Sequence, residues 1–234
     1  MSERIQKIIA ERGLCSRRKA EELIQQGRVT CNGRISGLGD QANPETDEIL
    51  VDGKPLPSPK KHVYIMLHKP RGYVTTLSDE KGRPNASQLI DCGCRVYPVG
   101  RLDMDSEGLL LFTNDGDFAN HMMHPKHQVD KTYRVTVQGC SADRVKLLED
   151  QEELEGYRIC KPKVQVVHVE DGTDRGILHI TIHEGRNRQV RKMCANAGMQ
   201  VVRLLRISEG SLKLGNLPRG KWRYLTPEEL SRLK

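Results

Sequence analysis

Aromatic residues make up only 4% of this sequence, and hydrophobic residues of every kind 36%. The apolar share is somewhat low for a globular protein, but its members fall in periodic clusters, which argues against wholesale disorder. No apolar run approaches the roughly 18–20 residues of a membrane-spanning helix. None of the seven cysteines, at 15, 31, 92, 94, 140, 160 and 194, belongs to a CxxC pair. Neither a zinc ribbon nor a thioredoxin-type redox motif is therefore present. There is no internal repeat, no low-complexity tract and no glycine-rich nucleotide-phosphate loop. The start, Met1-Ser2-Glu3-Arg4, leads into a charged amphipathic segment rather than the apolar core of a signal peptide. The expectation is a soluble cytoplasmic protein with free thiols and no membrane association.

What the chain does have is length for a real core and an uneven charge. Its 234 residues suit one large domain, or a small and a medium one. The formal charge is +7 overall. Residues 1–34 hold eight Lys/Arg and four Asp/Glu, and residues 185–234 hold twelve and three, so two basic ends flank an acidic middle. That division fits two polyanion-contacting surfaces better than uniform solubilising charge.

The spacing predicts two short helices and a hairpin in the first 35 residues. Ile5, Ile8 and Ile9 make one apolar face after a Ser2 N-cap, with Gly13 as the stop. Ser16 caps a second helix whose buried stripe is Ala20, Leu23 and Ile24, closed by Gly27. Asn32-Gly33 is a type I′ hairpin signal. Pro55, Pro57 and Pro59 with Lys60-Lys61 break regular structure and place a linker and domain boundary there. Strands are expected beyond it at 63–68, 72–77, 95–103, 109–113, 132–138, 164–169, 178–183, 201–207 and 222–225. Helices are expected at 117–123, 142–148 and 188–197, and a capped terminal helix after Thr226-Pro227. Strands and helices without a βαβ rhythm indicate an α+β fold with a mostly antiparallel sheet.

Arg17, Arg18 and Lys19 stand in the first turn of the second helix, where the helix dipole and free N–H groups attract phosphate. Arg28 and Arg34 lie near the following hairpin. Alone, such a run is more often a solvated helix face. The string Ser16-Arg-Arg-Lys-Ala-Glu-Glu-Leu-Ile24, with Gly27-Arg-Val29 and Asn32-Gly33, resembles the S4-type RNA-binding domain over roughly residues 2–54. The resemblance implies salt-sensitive contact with structured RNA through Arg17, Arg18, Lys19 and Arg28.

The most informative stretch runs from Gly100 to Gly116. Acids at 103, 105 and 107 in a polar turn are compatible with a loop rim, a divalent-metal site or a catalytic site. The spacing lacks the central glycine and distal glutamate of a calcium loop. Gly100-Arg-Leu-Asp103, Ser106-Glu-Gly-Leu-Leu110 and Thr113-Asn-Asp-Gly116 resemble the signature of RNA pseudouridine synthases. The likeness covers about residues 2–228. It is greatest to the branch that modifies ribosomal RNA and carries an N-terminal S4-type domain, and within that branch to the large-subunit synthases of type B. The resemblance implies that Asp103 is the catalytic carboxylate and that Arg101 helps displace the flipped base.

Tyr133, in Lys131-Thr-Tyr-Arg-Val135, reads first as a core strand residue with Val135 and Val137. The resemblance makes it the ring that packs on the target uracil, the usual way to hold a base outside its helix. Glu184-Gly-Arg-Asn-Arg-Gln-Val-Arg-Lys-Met193 is a loop entering a basic helix with Val190 and Met193 on its buried side. The resemblance assigns Arg191 as the partner of Asp103, leaving Arg186, Arg188 and Lys192 for phosphate. Leu205 is the expected apolar residue across the base, with Leu204 nearly equivalent. His121, His124 and His127 offer no i, i+4 pair, and Pro125 interrupts any helix that would gather them, so no metal site is assigned. Cys92 and Cys94 have no obvious partner.

The resemblance therefore implies an S4-type domain with its linker over 1–60 and a pseudouridine synthase domain with flanking helices over 61–234. It implies a cofactor-free monomeric enzyme. Its partner is ribosomal RNA, with Asn187 and Arg188 favouring 23S RNA, free or in an assembling large subunit. Two alternatives stand beside it: a noncatalytic ribosome-assembly factor of the same fold, and a metal-dependent RNA hydrolase using the 103–107 acids, which a chelator would stop.

Overall fold

In the computed structural model, which describes residues 2–77, 79–170 and 172–233, the chain folds as two compact units. One runs through Val63 and takes in Cys92–Arg95 and Asn114–Gly116; the other holds Tyr64–Asp91, Val96–Thr113 and the chain from Asp117 onward.

The first unit packs helix α1 (Ile5–Glu11) on α2 (Arg17–Gln25). Ile5, Ile8 and Ile9 meet Ala20, Leu23 and Ile24 in one buried cluster. The Ser16 hydroxyl accepts the Lys19 N–H and caps α2. Ser2 does not cap α1. Glu3–Arg4 is extended and pairs with Gln41–Ala42, which puts Arg4 at the cap position. Strands β1 (Val29–Cys31) and β2 (Arg34–Ile35) form the hairpin, with Asn32 and Gly33 at φ 50° and 78° as a type I′ turn requires. β3 (Ile49–Val51) pairs with β1 and turns into β4 (Lys54–Pro55), so the ladder reaches Pro55, inside the expected linker. Cys92 and Cys94, read as partnerless, lie with their sulfurs 3.5 Å apart.

The second unit is built on β5 (Tyr64–Lys69), β6 (Tyr97–Val99), β7 (Glu107–Thr113), β8 (Lys131–Gln138), β9 (Lys163–Val169), β10 (Arg175–Ile182), β11 (Gln200–Glu209) and β12 (Trp222–Tyr224). Their order in one sheet is β9-β10-β8-β11-β7-β5-β12, with β6 on β7. Every one of these pairings is antiparallel except β11 with β7. Helices α3 (Gly116–Met123), α4 (Ala142–Glu149), α5 (Gln189–Asn196) and the short α6 (Pro227–Ser231) accompany the sheet. Met66, Val99, Leu109 and Leu111 pack with Phe118 and Met122 of α3. Among the described residues no helix is long and apolar enough to cross a membrane.

One expected strand is not a strand and another is shorter than expected. Residues 72–77 form a loop whose one β-bridge is the isolated Val74–Asn85 pair, and the strand expected over 95–103 runs only over Tyr97–Val99. Gly100, at φ 75°, turns the chain out of the sheet and starts the segment that carries Asp103.

Gly108 sits where the backbones of β5, β7 and β11 converge, opposite both Lys69 and Arg206. Its φ is 114°, and an added Cβ would overlap the Arg206 carbonyl oxygen. Gly108→Ala is expected to cost about 3 kcal/mol or more and to yield insoluble or early-melting protein, read by thermal denaturation.

Candidate active site

Asp103 lies in a turn whose backbone is fastened from three directions. Thr75, in the loop read as a strand, accepts the Leu102 N–H at 3.2 Å and donates to the Leu102 carbonyl at 2.7 Å. Lys69, at the end of β5, is fully buried, and its ammonium donates to the carbonyls of Pro70, Asp103 and Ser106 at 3.1, 3.0 and 2.8 Å. Burial pushes the Lys69 ammonium down to about 8, against the pull of Asp103, Asp105 and Glu107. The Ser106 N–H closes the turn on the Asp103 carbonyl. Neither Lys69 nor Thr75 was legible as part of this site, because their role exists only once β5 and the 72–77 loop lie beside the turn.

Arg191 does not pair with Asp103 directly. Its guanidinium donates to the Asp105 backbone carbonyl at 3.0 Å and meets the Asp105 carboxylate at 3.3 Å. Asp103 carries its carboxylate in the field of Arg191, Arg188 and Lys69. The reason is the turn, which presents Asp105 rather than Asp103 to Arg191 in α5 and to Arg188 just before it. Burial lowers the Arg191 guanidinium, and Asp105 opposes that shift. For Asp105 burial works upward, but Arg188 and Arg191 outweigh it and hold the carboxyl below its ordinary range.

The cations expected to be free are mostly engaged. Arg188 donates bidentately to Asp105 at 3.1 and 3.0 Å, and Lys192 pairs with Glu155 at 2.6 Å. Arg186 lies over the Tyr157 ring at 4.8 Å and reaches the cleft.

That cleft is walled by Arg101, Asp103, Tyr133, Arg186, Arg188 and Leu204 among others. Tyr133 stands on β8 with Val135 and Val137, all three buried. Burial raises its phenol above its ordinary value, so it is neutral at physiological pH. Arg206, its cross-strand partner, is buried, donates from Nε to the Leu109 carbonyl at 2.7 Å and sits 3.3 Å from the buried Glu209.

The apolar wall is Leu204, not Leu205. In the β8–β11 ladder Tyr133 is opposite Arg206 and Val135 opposite Leu204, so 204 and 206 share the face of Tyr133. Leu205 points the other way, into the Met66–Leu109 core. Leu204→Ala, at a side chain only 5% exposed, is expected to lower kcat/KM about 10-fold and also to cost about 2 kcal/mol or more of stability. Leu205→Ala is expected to cost about 2 kcal/mol of stability and leave kcat unchanged; kinetics, with denaturation alongside, separate the two.

In the first unit Arg17 and Arg18 project into solvent at the start of α2. Lys19 pairs with Glu22 at 2.8 Å, and Arg28 forks onto Asp52 at 2.7 and 2.6 Å. These exposed pairs are weak enough for a phosphate to displace. The three histidines do gather, through the single turn at Pro125–His127: the His121 and His127 rings are 4.2 Å apart. They stack tilted rather than converge, and no cluster of His, Cys, Asp or Glu among the described residues is arranged to hold a metal.

A turn-borne carboxylate and a buried tyrosine at one cleft of a mixed sheet, in a chain that also carries a small basic helix-and-hairpin unit, define a class, and comparison with known proteins gives it. Residues 63–196 match the RNA pseudouridylate synthase family and residues 3–49 the S4 domain. The chain belongs to the RNA pseudouridine synthase family and is an enzyme of that family with an N-terminal S4 domain.

Among its relatives, ribosomal large subunit pseudouridine synthase B of Bacillus subtilis is 42% identical over 99% of this chain and 96% of its own. The protein of the same name from Yersinia pestis is 38% identical over 96% of this chain and 73% of its own. A crystal structure of a pseudouridylate synthase superposes with a TM-score of 0.70 at 32% identity, covering 99% of both chains.

Proposed function

We propose that the protein converts one uridine of large-subunit (23S) ribosomal RNA to pseudouridine, with Asp103 as the reacting carboxylate. The observation that carries the reading is the position of Asp103, on a turn fixed through its backbone, at a cleft whose other walls are Tyr133 and Leu204. The names of the relatives from Bacillus subtilis and Yersinia pestis point to the large subunit.

In this reading the uridine leaves its helix, at a cost of a few kcal/mol, and its base enters the cleft between Tyr133 and Leu204. Arg101 stands at the rim to fill the space the base vacates. Asp103 supplies an electron pair, either to C1′ as nucleophile or to a ribose C–H as base. The N1–C1′ bond breaks, the uracil turns, C5 joins C1′, the C5 proton leaves to solvent and the freed N1 takes up a proton in its place. Nothing is oxidised or reduced, and no group enters from outside. Arg191 and Arg188 hold Asp105 and thereby the far side of the turn; Arg186 is the cation with the freest reach to a phosphate, and Lys192 joins it by exchanging Glu155 for RNA.

The S4-type module and its linker, 1–60, would add phosphate contacts through Arg17, Arg18, Lys19 and Arg28, and 61–234 would carry the chemistry. The protein acts as a cytoplasmic monomer without a cofactor, on 23S RNA free or in an assembling subunit. An intact set of Asp103, Tyr133 and Arg191 has no chemical use in a noncatalytic assembly factor, which makes that alternative the weaker one. The test is to incubate the protein with unmodified 23S and 16S transcripts of the source organism and map pseudouridine chemically. A new site on 23S and none on 16S is expected; a site on 16S alone would overturn the large-subunit assignment.

A further inference from the structure

The Glu107 carboxylate is 1% exposed, yet three guanidinium groups converge on it. Arg203 Nε lies 2.5 Å from Oε1, Arg219 Nε 3.2 Å from Oε2 and Arg71 Nε 3.8 Å from Oε1. The four residues come from four separate elements: the loop after β5, the start of β7, strand β11 and the turn before β12. One arginine would neutralise the carboxylate. Three leave two positive charges in excess on one spot of surface, where like-charge repulsion opposes the arrangement.

The burial is divided in a telling way. The carboxylate is hidden while the arginine side chains are 45% (Arg71), 46% (Arg203) and 58% (Arg219) exposed. Each guanidinium turns its Nε edge to Glu107. Arg71 also spends one terminal nitrogen on the Val202 carbonyl at 3.0 Å, while the terminal nitrogens of Arg203 and Arg219 make no hydrogen bond to a described residue. A buried anion thus fixes three cations in orientation and leaves their forked ends toward water. Fixed, converging forks match the oxygens of a phosphodiester, and pre-orientation removes the ordering cost of recruiting three long side chains. Strand alternation sets this group apart from the catalytic cleft: Leu204 faces the cleft while Arg203 faces away, and none of the four residues lines it.

We propose that Arg71, Arg203 and Arg219, held by Glu107, form a second RNA contact on the catalytic unit, a clamp for one backbone phosphate of the substrate away from the reacting nucleotide. This rests on the ribosomal RNA reading above. Glu107 is the positioning residue and the arginines are the ligand-binding ones. The ligand is a phosphodiester of folded RNA rather than an acidic protein surface, because the family's chemistry already brings a polyanion to this unit.

The experiment measures filter binding of the unmodified 23S transcript across monovalent salt concentrations, with Arg219→Gln, Arg203→Gln/Arg219→Gln and Glu107→Gln beside the natural protein. Arg219 is the most exposed of the three, so its single variant keeps the fold even if the double variant, which strips Glu107 of two partners, melts early. Arg219→Gln is expected to weaken binding about 3-fold and the double variant about 10-fold. The slope of log affinity against log salt should fall in magnitude by about 0.7–0.9 in the double variant, the value for one lost phosphate. At saturating RNA, single-turnover conversion should stay at the natural rate. Glu107→Gln, which keeps the cations but loosens their fixing, should weaken binding despite its added positive charge. If Arg219→Gln binds RNA with natural affinity and natural slope, the clamp is wrong, and an acidic protein partner would then be the candidate for these arginines. That failure is separate from failure of the function itself, in which the natural protein would bind the transcript and modify nothing.

Discussion

Asp103→Asn is expected to abolish pseudouridine formation while RNA binding stays at its natural strength. The expected loss is on the order of 10⁴-fold or more, as when the reacting group of an enzyme is removed. The turn that carries Asp103 is what makes this substitution clean. Lys69, Thr75 and Arg191 hold it through the backbone of residues 102, 103, 105 and 106, and none of them relies on the Asp103 carboxylate. An amide of the same shape therefore leaves the turn in place and removes only the electron pair. Chemical mapping of pseudouridine on treated RNA, with filter binding alongside, checks both halves. Turnover by Asp103→Asn would remove the carboxylate from its assigned role.

The second large effect belongs to Lys69. Lys69→Met keeps the length of the side chain and removes three N–H donors from the carbonyls of Pro70, Asp103 and Ser106. Buried acceptors without donors cost about 1–3 kcal/mol each, and the turn relaxes by the fraction of an ångström that costs about 10²-fold in rate. The loss should fall on kcat with RNA affinity nearly unchanged, because Lys69 touches no RNA.

The same residue gives a signature in pH. With its folded value near 8 and an ordinary lysine value of 10.5 once unfolded, Lys69 is protonated less in the folded chain between those limits. The unfolded state then binds more protons there, so the contribution of Lys69 to folding stability rises with pH from 8 to 10.5. Activity moves in the other direction. The neutral amine turns a lone pair toward one of its three carbonyls, and kcat should fall as pH climbs through 8. Urea denaturation and single-turnover rates at pH 7 and 9, compared between natural protein and Lys69→Met, should show both trends in the first and neither in the second.

How far the sequence reached is clearest at particular residues. The hairpin at Asn32-Gly33 was legible because two adjacent positive φ values demand those residue types. The resemblance named Asp103 and Tyr133 together, and the structure places both at one cleft; strand alternation set Tyr133 on one buried face with Val135 and Val137. The choice between Leu204 and Leu205 was not, because two register shifts in the β8–β11 ladder decide which leucine faces the tyrosine, and a bulge leaves no trace in composition.

The resemblance assigned Arg191 to Asp103, but the turn interposes Asp105 between them. Lys69 was not singled out, and Glu107 was read only as one of three acids in a polar turn. Each is a buried charge whose meaning comes from groups 34 to 112 positions away, which local spacing does not show. Their burial separates structure from sequence here: one lysine organises the catalytic turn, and one glutamate organises a rim of arginines.

The most direct single measurement follows the proton that the isomerisation must release. RNA transcribed with uridine tritiated at C5 loses one tritium to water for every uridine converted, since the new C5–C1′ bond replaces the C5–H bond. The natural protein should release tritium from 23S transcript to a plateau of one site per RNA, with Asp103→Asn releasing none. A plateau of zero with natural protein on intact 23S RNA, or equal release by Asp103→Asn, would contradict an Asp103-centred uridine isomerase.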